Sequence, residues 1–368
     1  MSAPASLRAS VLEVPFKVAF RHASADRSAM QSLWVEARDA EGATGLGEGC
    51  PRHYVTGETL TSALDFVARH TREWCERIDG VESLAGWVEA NGAVIDRDPA
   101  AWCAVELALL DLFGRQRGVP LERLLGLPEL RGPFRYSAVL GDANPAAFDA
   151  QLAGYRKAGM SAFKIKLSGD GDRDRAKVAS LAAAGIAPAS VRADANNLWR
   201  DPAAAIAHLA ALGYRFHALE EPLAPGDHAG MRRVSEASGA RIILDESALR
   251  AGQLDALAHD AGRWIVNVRV SKMGGLLRSL ALARHARALG LAIVVGAHVG
   301  ETSVLTRAAL AVAQAAGDAL AAQEGAFGTH LLEREPVTPC WMFGAGGVLD
   351  PARYAPIAPG LGLARLET

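Results

Sequence analysis

The segment SVRADANNLWRDPAAAIAHLAALGYRFHALEEP, residues 190–222, contains the unit from which most of this chain is built. A short apolar run ends at Asp194, an alanine-rich amphipathic stretch follows, and a second apolar run ends at Glu220. Short apolar runs bounded by polar residues are typical of buried strands, and the helical periodicity between them predicts a helix. The segment therefore predicts a strand–helix–strand unit in which each strand ends in a carboxylate.

The same pattern recurs between residues 134 and 322. Apolar runs alternate there with alanine-rich stretches, and the eight runs are residues 134–140, 162–167, 190–193, 218–219, 241–244, 264–270, 291–295 and 319–322. Eight parallel strands that alternate with helices can close into a barrel. A doubly wound sheet is the competing topology, but the GxGxxG turn that would support it is missing after the first strand. The sequence therefore predicts a (β/α) barrel.

The chain before and after the barrel has a different character. Its first part predicts one hairpin and two helices, over residues 32–48, 57–78 and 100–118. Strands followed by helices favour a separate α+β domain. The last residues are rich in glycine and proline, which favours an extended segment outside the barrel. We predict three parts: an α+β domain, a barrel, and a C-terminal segment that returns to the first domain, over residues 1–125, 126–332 and 333–368.

Composition excludes several classes of protein. The chain has 39 Lys and Arg against 41 Asp and Glu, a net charge of −2, so a nucleic-acid partner is not expected. No run approaches about 18 apolar residues and no signal-peptide pattern opens the chain, so no membrane partner is predicted. The four cysteines are scattered without a CxxC pair, which favours a cytoplasmic protein without a disulfide framework or zinc site.

Polar residues follow the predicted strands at a nearly constant interval. The intervals are 25 to 28 residues long, and the series is Lys166, Asp194, Glu220, Asp245, Lys272, His298 and Glu324. The carboxyl ends of barrel strands form the mouth in which the active sites of such folds are built. We therefore expect these side chains to converge at one end of the barrel.

Three carboxylates in this series belong to consecutive strands. Neighbouring strands are about 4.8 Å apart, so Asp194, Glu220 and Asp245 would repel one another strongly without a counter-charge. Ligation by carboxylate oxygens alone favours a hard divalent cation, Mg²⁺ or else Mn²⁺. The sequence therefore predicts a metal site at these three residues.

Lysine is rare in this chain, since only six of the 39 basic residues are lysine and the remaining 33 (39 − 6) are arginine. Lysine, unlike arginine, can lose its proton and act as a base. Lys164 and Lys166 are two residues apart in a strand, so both should point into the barrel, and each should lower the pKa of the other. Lys272 ends the sixth strand, diametrically opposite the second, and we expect a substrate to lie between Lys166 and Lys272.

Five motifs together resemble the muconate-lactonizing-enzyme subgroup of the enolase superfamily. They are Lys164-x-Lys166, Asp194-Ala-Asn196, Glu220-Glu221-Pro222, Asp245-Glu246-Ser247 and Lys272-Met-Gly-Gly275. The likeness extends into the first domain through Gly45-Leu-Gly-Glu48 and Thr56-Gly-Glu-Thr59. It implies a modified TIM barrel of the (β/α)7β type with an N-terminal α+β capping domain. It also implies a homo-oligomer, because many relatives are dimers or octamers.

The resemblance implies a role for most of these residues. Asp194, Glu220 and Asp245 would ligate Mg²⁺, with Asn196 and Glu246 supporting them from behind. Lys166 would be one acid/base, assisted by Lys164, and Lys272 the opposing acid/base or a cation over the intermediate. Arg269 and Asn197 depart from the residues usual in relatives, and neither is expected to touch the core of the site.

Substrate contacts are predicted at the rim of the mouth. His298 and Glu324 end strands seven and eight, where relatives bind the distal part of a substrate. Loops of the capping domain should close over the mouth, and among their residues we expect contacts from Tyr54 and Arg27. Dipeptide epimerases have an Asp-x-Asp at the eighth strand that holds a substrate ammonium, and this chain lacks it, which lowers the expectation of that activity.

These features predict an Mg-dependent enzyme that abstracts the proton α to the carboxylate of a small molecule, giving a metal-stabilised enediolate. Two lysines on opposite faces favour a racemase or epimerase of an amino-acid derivative. The alternatives are a one-base cycloisomerase acting on a muconate-like diacid and a syn-dehydratase, which is a lyase. A non-catalytic metal-binding relative is disfavoured, because a chain released from catalysis would be expected to lose its rare lysines to arginine.

Overall fold

The first described part of the chain is an antiparallel sheet covered by helices. The computed structural model describes residues 1–22 and 25–366, with the side chains of 18–22 and 25–27 excepted. The sheet has the order β1-β2-β3 and consists of Ser6–His22 (β1), Ala25–Arg38 (β2) and Thr44–Gly49 (β3). The helices that follow are Leu60–Arg77 (α1), Val81–Ala90 (α2), Gly92–Ile95 (α3), Pro99–Arg117 (α4) and Leu121–Leu124 (α5).

Helix α4 packs unusually close to β3, and the reason is the glycine pattern of that strand. Gly45, Gly47 and Gly49 alternate along β3 and so share one face. A Cβ atom at these positions would lie 1.9 to 2.1 Å from a main-chain oxygen of α4. Only glycine therefore permits this approach, which joins the helix to the sheet and buries almost all of α4.

Eight parallel strands form the second sheet, after the short strand Phe134–Arg135 (β4). They are Ala138–Leu140 (β5), Phe163–Lys166 (β6), Val191–Asp194 (β7), Ala218–Glu220 (β8), Arg241–Leu244 (β9), Trp264–Val268 (β10), Ala292–Val295 (β11) and Leu320–Gln323 (β12). They pair in sequence order, and Ser137 N donates to Gln323 O at 2.9 Å, which links the two ends of the sheet. The predicted barrel is confirmed.

Helices alternate with these strands, with two exceptions. The regular ones are Pro145–Lys157 (α6), Gly171–Ala183 (α7), Pro202–Leu212 (α8), His228–Ser238 (α9), Leu276–Ala288 (α10) and Ser303–Ala316 (α11). Between β9 and β10, residues 251–263 form 3₁₀ turns. The backbone is non-helical at Asp260, whose carboxylate accepts hydrogen bonds from Arg232 and the Trp264 indole. After β12 the described chain continues in a short 3₁₀ turn. The expected alternation is therefore wrong between β9 and β10, whereas the missing helix after β12 agrees with the (β/α)7β type that the resemblance implies.

The C-terminal segment runs back along the molecule. Its strands are Val337–Thr338 (β13), Val348–Leu349 (β14) and Ala364–Arg365 (β15), and β14 pairs with β4, so the predicted run 134–140 is divided between two sheets. Leu361 N donates to Asp111 Oδ1 on α4 at 2.7 Å. The division of the chain at residues 125/126 and 332/333 stays a prediction.

The described residues share a large buried core. Trp34, Trp74 and Trp264 belong to this core and are at most 3% exposed. No helix in the described ranges has both the length and the apolar character needed to cross a bilayer.

Candidate active site

Three carboxylates lie together at the carboxyl ends of neighbouring barrel strands. Asp194 and Glu220 are the last residues of β7 and β8 and face each other across the ladder, and Asp245 directly follows β9. None of the three is more than 1% exposed. The structure thus brings together the three residues predicted as metal ligands, and their role as ligands stays a prediction.

Two cationic side chains lie between these carboxylates. Lys164 Nζ is 3.0 Å from Asp194 Oδ2 and 2.6 Å from Glu220 Oε2. The Arg269 guanidinium contacts the Asp245 carboxylate and lies 3.4 Å from Glu220 Oε1. The expectation that Arg269 stays clear of the core of the site is therefore wrong, because its long side chain reaches two of the three carboxylates.

The carboxylates differ in how well they are neutralised. Although burial raises the pKa of Asp194, the ammonium groups of Lys164 and Lys166 hold it well below its usual range. Burial and the neighbouring charge of Asp194 raise the pKa of Glu220 to about 7. Glu220 therefore retains an uncompensated repulsion that a further positive charge would relieve.

The donor set fits a hard divalent cation by its chemistry. All three candidate ligands are buried carboxylates on adjacent strands, and the raised pKa of Glu220 indicates a demand for positive charge. In the described part of the chain, no group of three or more His, Cys, Asp and Glu side chains stands in metal-binding geometry. The cationic side chains of Lys164 and Arg269 lie between the carboxylates instead.

Lys164 and Lys166 both point into the barrel, but their surroundings differ. Burial lowers the pKa of Lys164, and the carboxylates of Asp194, Glu220 and Glu324 outweigh that effect and raise it. The prediction of a lowered pKa is therefore wrong for Lys164, because three carboxylates face it. The Lys166 side chain is 14% exposed and its Nζ donates to Asp194 Oδ2 at 2.6 Å and to Asn196 Oδ1 at 2.7 Å.

Lys272 lies at the other end of the carboxylate row. Its Nζ donates to Asp245 O at 2.6 Å, to Asp245 Oδ1 at 2.7 Å and to Asn267 O at 2.9 Å. Lys166 is thus hydrogen-bonded to the first carboxylate of the row and Lys272 to the third. The Lys272 side chain is fully buried, whereas Lys166 reaches the cavity described below.

Of the two residues predicted to support the carboxylates, Asn196 contacts Asp194, and both Asn196 and Glu246 line the cavity described below. Asn196 N donates to Asp194 Oδ1 at 3.0 Å. Burial and the charge of Asp245 raise the pKa of Glu246 to about 8. Glu221, to which the sequence assigns no role, also belongs to this supporting layer, because its Oε1 accepts from Asp245 N and Ser247 N, each at 2.7 Å. The signal available was the acidic pair Glu220-Glu221, in which only the first residue could share the strand face of the ligands.

Asn197 also touches this supporting layer. Its Nδ2 donates to Glu221 Oε2 at 3.3 Å and to Leu223 O at 2.8 Å. Asn197 has φ +58°, a left-handed conformation that Asn tolerates better than most residues. It therefore contributes to holding Glu221, and through it the main chain of Asp245.

A cavity of about 1500 Å³ lies at this end of the barrel. Tyr54, His298, Glu324 and Lys166 are among its lining residues, whereas Lys272 and the three carboxylates are not. Arg27 belongs to β2, and its side chain lies outside the described residues. The volume exceeds the roughly 300–1000 Å³ of ordinary ligand pockets, so the cavity has room for a substrate with two substituents.

Glu324 is not available as a simple ammonium receptor. Its Oε2 lies 3.0 Å from Lys164 Nζ and its Oε1 lies 3.0 Å from Arg192 Nη2. Both oxygens are therefore already paired with cations, and Glu324 is only 7% exposed. Substrate contact by Glu324 stays a prediction, but the geometry assigns it first to fixing Lys164.

Comparison with known proteins gives consistent results along nearly the whole chain. The family model described as "Enolase C-terminal domain-like" matches residues 147–367. A hydrophobic dipeptide epimerase of Enterococcus faecalis is 28% identical and covers 89% of this chain and 90% of its own. An L-Lys-D/L-Arg epimerase of Methylococcus capsulatus is 30% identical and covers 82% and 83%, respectively.

Solved structures agree with the sequence relatives. The dipeptide epimerase from Enterococcus faecalis, complexed with Mg and the dipeptide L-Leu-L-Tyr, superposes with a TM-score of 0.84 at 26% identity and covers 99% of this chain and 100% of its own. The muconate lactonizing enzyme from Pseudomonas fluorescens, complexed with muconolactone, has a TM-score of 0.83 at 25% identity and covers 99% and 97%, respectively.

Proposed function

Because the chain belongs to the enolase superfamily, in its muconate-lactonizing-enzyme subgroup, we propose that it racemises or epimerises an amino-acid derivative through removal of the proton α to a carboxylate. One observation carries this proposal: Lys166 and Lys272 are hydrogen-bonded to opposite ends of the buried carboxylate row. A substrate carboxylate placed at that row would have one lysine on each side of its α-carbon.

The metal assignment supports this chemistry. Asp194, Glu220 and Asp245 would hold Mg²⁺, with Mn²⁺ as the alternative. When bound, the cation stabilises the negative charge that develops on the substrate carboxylate as the α-proton leaves. The pairing of Asp194 with Lys166 and of Asp245 with Lys272 keeps both lysines beside the ligands.

The lysines move the proton. Lys166 in its free-amine form takes the α-proton, and the electron pair of the C–H bond moves into the carboxylate to give an enediolate. Lys272 in its ammonium form then donates a proton to the opposite face of that carbon, and the C–H bond forms with inverted configuration. The reverse direction exchanges the two roles. Lys164, whose pKa is raised by its three carboxylate neighbours, remains an ammonium and contributes positive charge.

The relatives support amino-acid derivatives as the substrate class. Epimerases of dipeptides and of L-Lys-D/L-Arg cover most of this chain. A racemase named for N-succinyl-L-Arg/Lys, from Bacillus cereus, is 24% identical over 82% of it. Since Glu324 is already paired with Lys164 and Arg192, we give N-acyl amino acids the same weight as dipeptides with a free ammonium.

A one-base cycloisomerase is the second candidate, and one observation favours it. Lys166 lines the cavity whereas Lys272 is fully buried. A reaction that needs only one proton-transferring lysine would require no exposure of Lys272. In that case Lys272 would act through its charge alone.

Solvent exchange separates the two candidates. The enzyme, loaded with Mg²⁺ in D₂O, is incubated with L-Ala-L-Phe, L-Ala-D-Phe, and the L and D forms of N-succinyl-phenylalanine, and NMR follows loss of the α-proton signal. We expect exchange and inversion of at least one pair. Turnover of cis,cis-muconate without exchange of any of these probes would overturn the racemase proposal in favour of the cycloisomerase.

A further inference from the structure

Lys177 is one of the six lysines, and the chemistry above leaves it without a role. It lies on α7, outside the carboxylate row, and its side chain is only 4% exposed. Its Nζ donates to Lys166 O at 2.8 Å, to Asp142 Oδ1 at 2.7 Å and to Asp174 Oδ1 at 2.9 Å. A buried ammonium therefore holds the main chain of the residue proposed as the base.

Asp174 fixes the loop that follows β6, the strand in which Lys166 is the last residue. Its carboxylate accepts hydrogen bonds from Ser168 N at 3.0 Å, from Ser168 Oγ at 2.9 Å and from Gly169 N at 3.0 Å. Although burial raises the pKa of Asp174, the hydrogen bonds from Lys177 and Ser168 keep it below its usual value. The carboxylate thus joins the loop after Lys166 to the same ammonium that binds Lys166 O.

The geometry explains why a lysine stands here in a chain that otherwise uses arginine. An ammonium has three donors around one nitrogen, and Lys177 has three oxygen acceptors, two carboxylates and one carbonyl, all within 2.9 Å. A guanidinium is planar and directs its donors as a fork, so it could not meet all three from one point. The shape of this site therefore explains why lysine, and not arginine, occupies position 177.

We propose that Lys177 is a positioning residue for Lys166, which it orients against the α-proton of the substrate by anchoring the main-chain carbonyl of Lys166. The inference rests on the proposed function, in which Lys166 serves one face of the α-carbon. Lys272 donates to Asp245 and Asn267, whereas the acceptors of Lys177 among the described residues are Lys166 O, Asp142 and Asp174. Loss of Lys177 should therefore damage proton transfer on one face and spare the other.

A face-selective measurement tests this. Lys177→Met, Lys166→Arg and the control Lys157→Met, which changes an exposed lysine of α6, are compared with the unsubstituted enzyme. The probes are the L-Ala-Phe and N-succinyl-Phe isomers in D₂O at saturating Mg²⁺. The isomer whose α-proton faces Lys166 is defined as the one whose exchange is lost in Lys166→Arg.

For that isomer we expect Lys177→Met to lower kcat for exchange about tenfold or more, since misplacement of a reacting group by 1 Å can reduce a rate by about a hundredfold. KM and the exchange of the opposite isomer should change less than about threefold, and Lys157→Met should behave as the unsubstituted enzyme. An equal loss for both isomers, or no loss for either, would overturn the inference.

Two further outcomes are decisive. If Lys177→Met does not fold, Asp142→Ala replaces it, because Asp142 is partly exposed and its substitution removes one of the three acceptors of Lys177. The same face-selective loss is then expected, and its absence would overturn the inference. If the unsubstituted enzyme exchanges no probe, the proposed function fails, which is distinct from exchange that is insensitive to Lys177.

Discussion

Glu221→Gln tests whether the residue behind the carboxylate row controls metal affinity. Glu221 Oε1 accepts from Asp245 N and Ser247 N, and its Oε2 accepts from Ser247 Oγ at 2.9 Å and from Asn197 Nδ2 at 3.3 Å. A glutamine oxygen can replace Oε1, and its amide can donate to the Ser247 hydroxyl. Only the weak bond from Asn197 then lacks an acceptor, so we expect a stability loss of about 1 kcal/mol.

The effect on metal binding should be larger. Glu221→Gln keeps the acceptor for Asp245 N but removes the negative charge that lies directly behind that ligand, and substitution of a residue that supports a ligand typically lowers metal affinity about 10- to 100-fold. We expect Glu221→Gln to need about 10- to 100-fold more Mg²⁺ for half-maximal α-proton exchange, with most of kcat recovered at saturation.

The assay is a Mg²⁺ titration of exchange in D₂O, supported by calorimetric titration and thermal unfolding. Glu89→Gln, which removes an exposed glutamate of α2, is the matched control and should leave the titration curve unchanged. An unaltered Mg²⁺ dependence in Glu221→Gln would refute the reasoning.

The remaining predictions concern metal, pH and assembly. Asp194→Asn, Glu220→Gln and Asp245→Asn should each abolish exchange while circular dichroism still shows a folded barrel. Full activity after exhaustive chelation of metal ions would contradict the metal assignment. Burial raises the pKa of Glu58 from an ordinary 4.5 to about 7, so the folded protein binds this proton more tightly than the unfolded chain does. The resulting stabilisation is complete below pH 4.5 and is lost as the pH rises through 7. Melts from pH 5 to 8 should show roughly 3 kcal/mol of such loss in the unsubstituted protein and less in Glu58→Gln. Light scattering at micromolar concentration should show a homo-oligomer, and a monomer would contradict that expectation.

The barrel could be predicted because its information is local and repeated. Each strand is a short apolar run, and the interval from Asp194 to Glu220 and from Glu220 to Asp245 measures one strand–helix unit. The missing helix between β9 and β10 could not be foreseen in the same way. The backbone leaves the helical region at Asp260, whose carboxylate contacts Arg232 and Trp264, and of these two partners only Trp264 is near in sequence.

The members of the site were predictable, but several of their partners were not. Strand ends place Asp194, Glu220 and Asp245 together whatever surrounds them. Which cations lie among them depends on side-chain length and direction, and so the reach of Arg269 could not be read from spacing. The raised pKa of Lys164 follows from three carboxylates at the carboxyl ends of three different strands, which come together only when the barrel closes.

The roles of Lys166 and Lys272 are tested most directly by α-proton exchange of both stereoisomers in D₂O with Lys166→Arg and Lys272→Arg, because arginine keeps the charge but cannot act as a base near neutral pH. We predict mirror results: Lys166→Arg loses exchange of one isomer and retains that of the other, Lys272→Arg shows the opposite pattern, and neither variant racemises. Normal racemisation by both variants would contradict the account, since neither lysine would then be the base. Loss of all exchange in Lys166→Arg with partial activity in Lys272→Arg would instead indicate a one-base reaction.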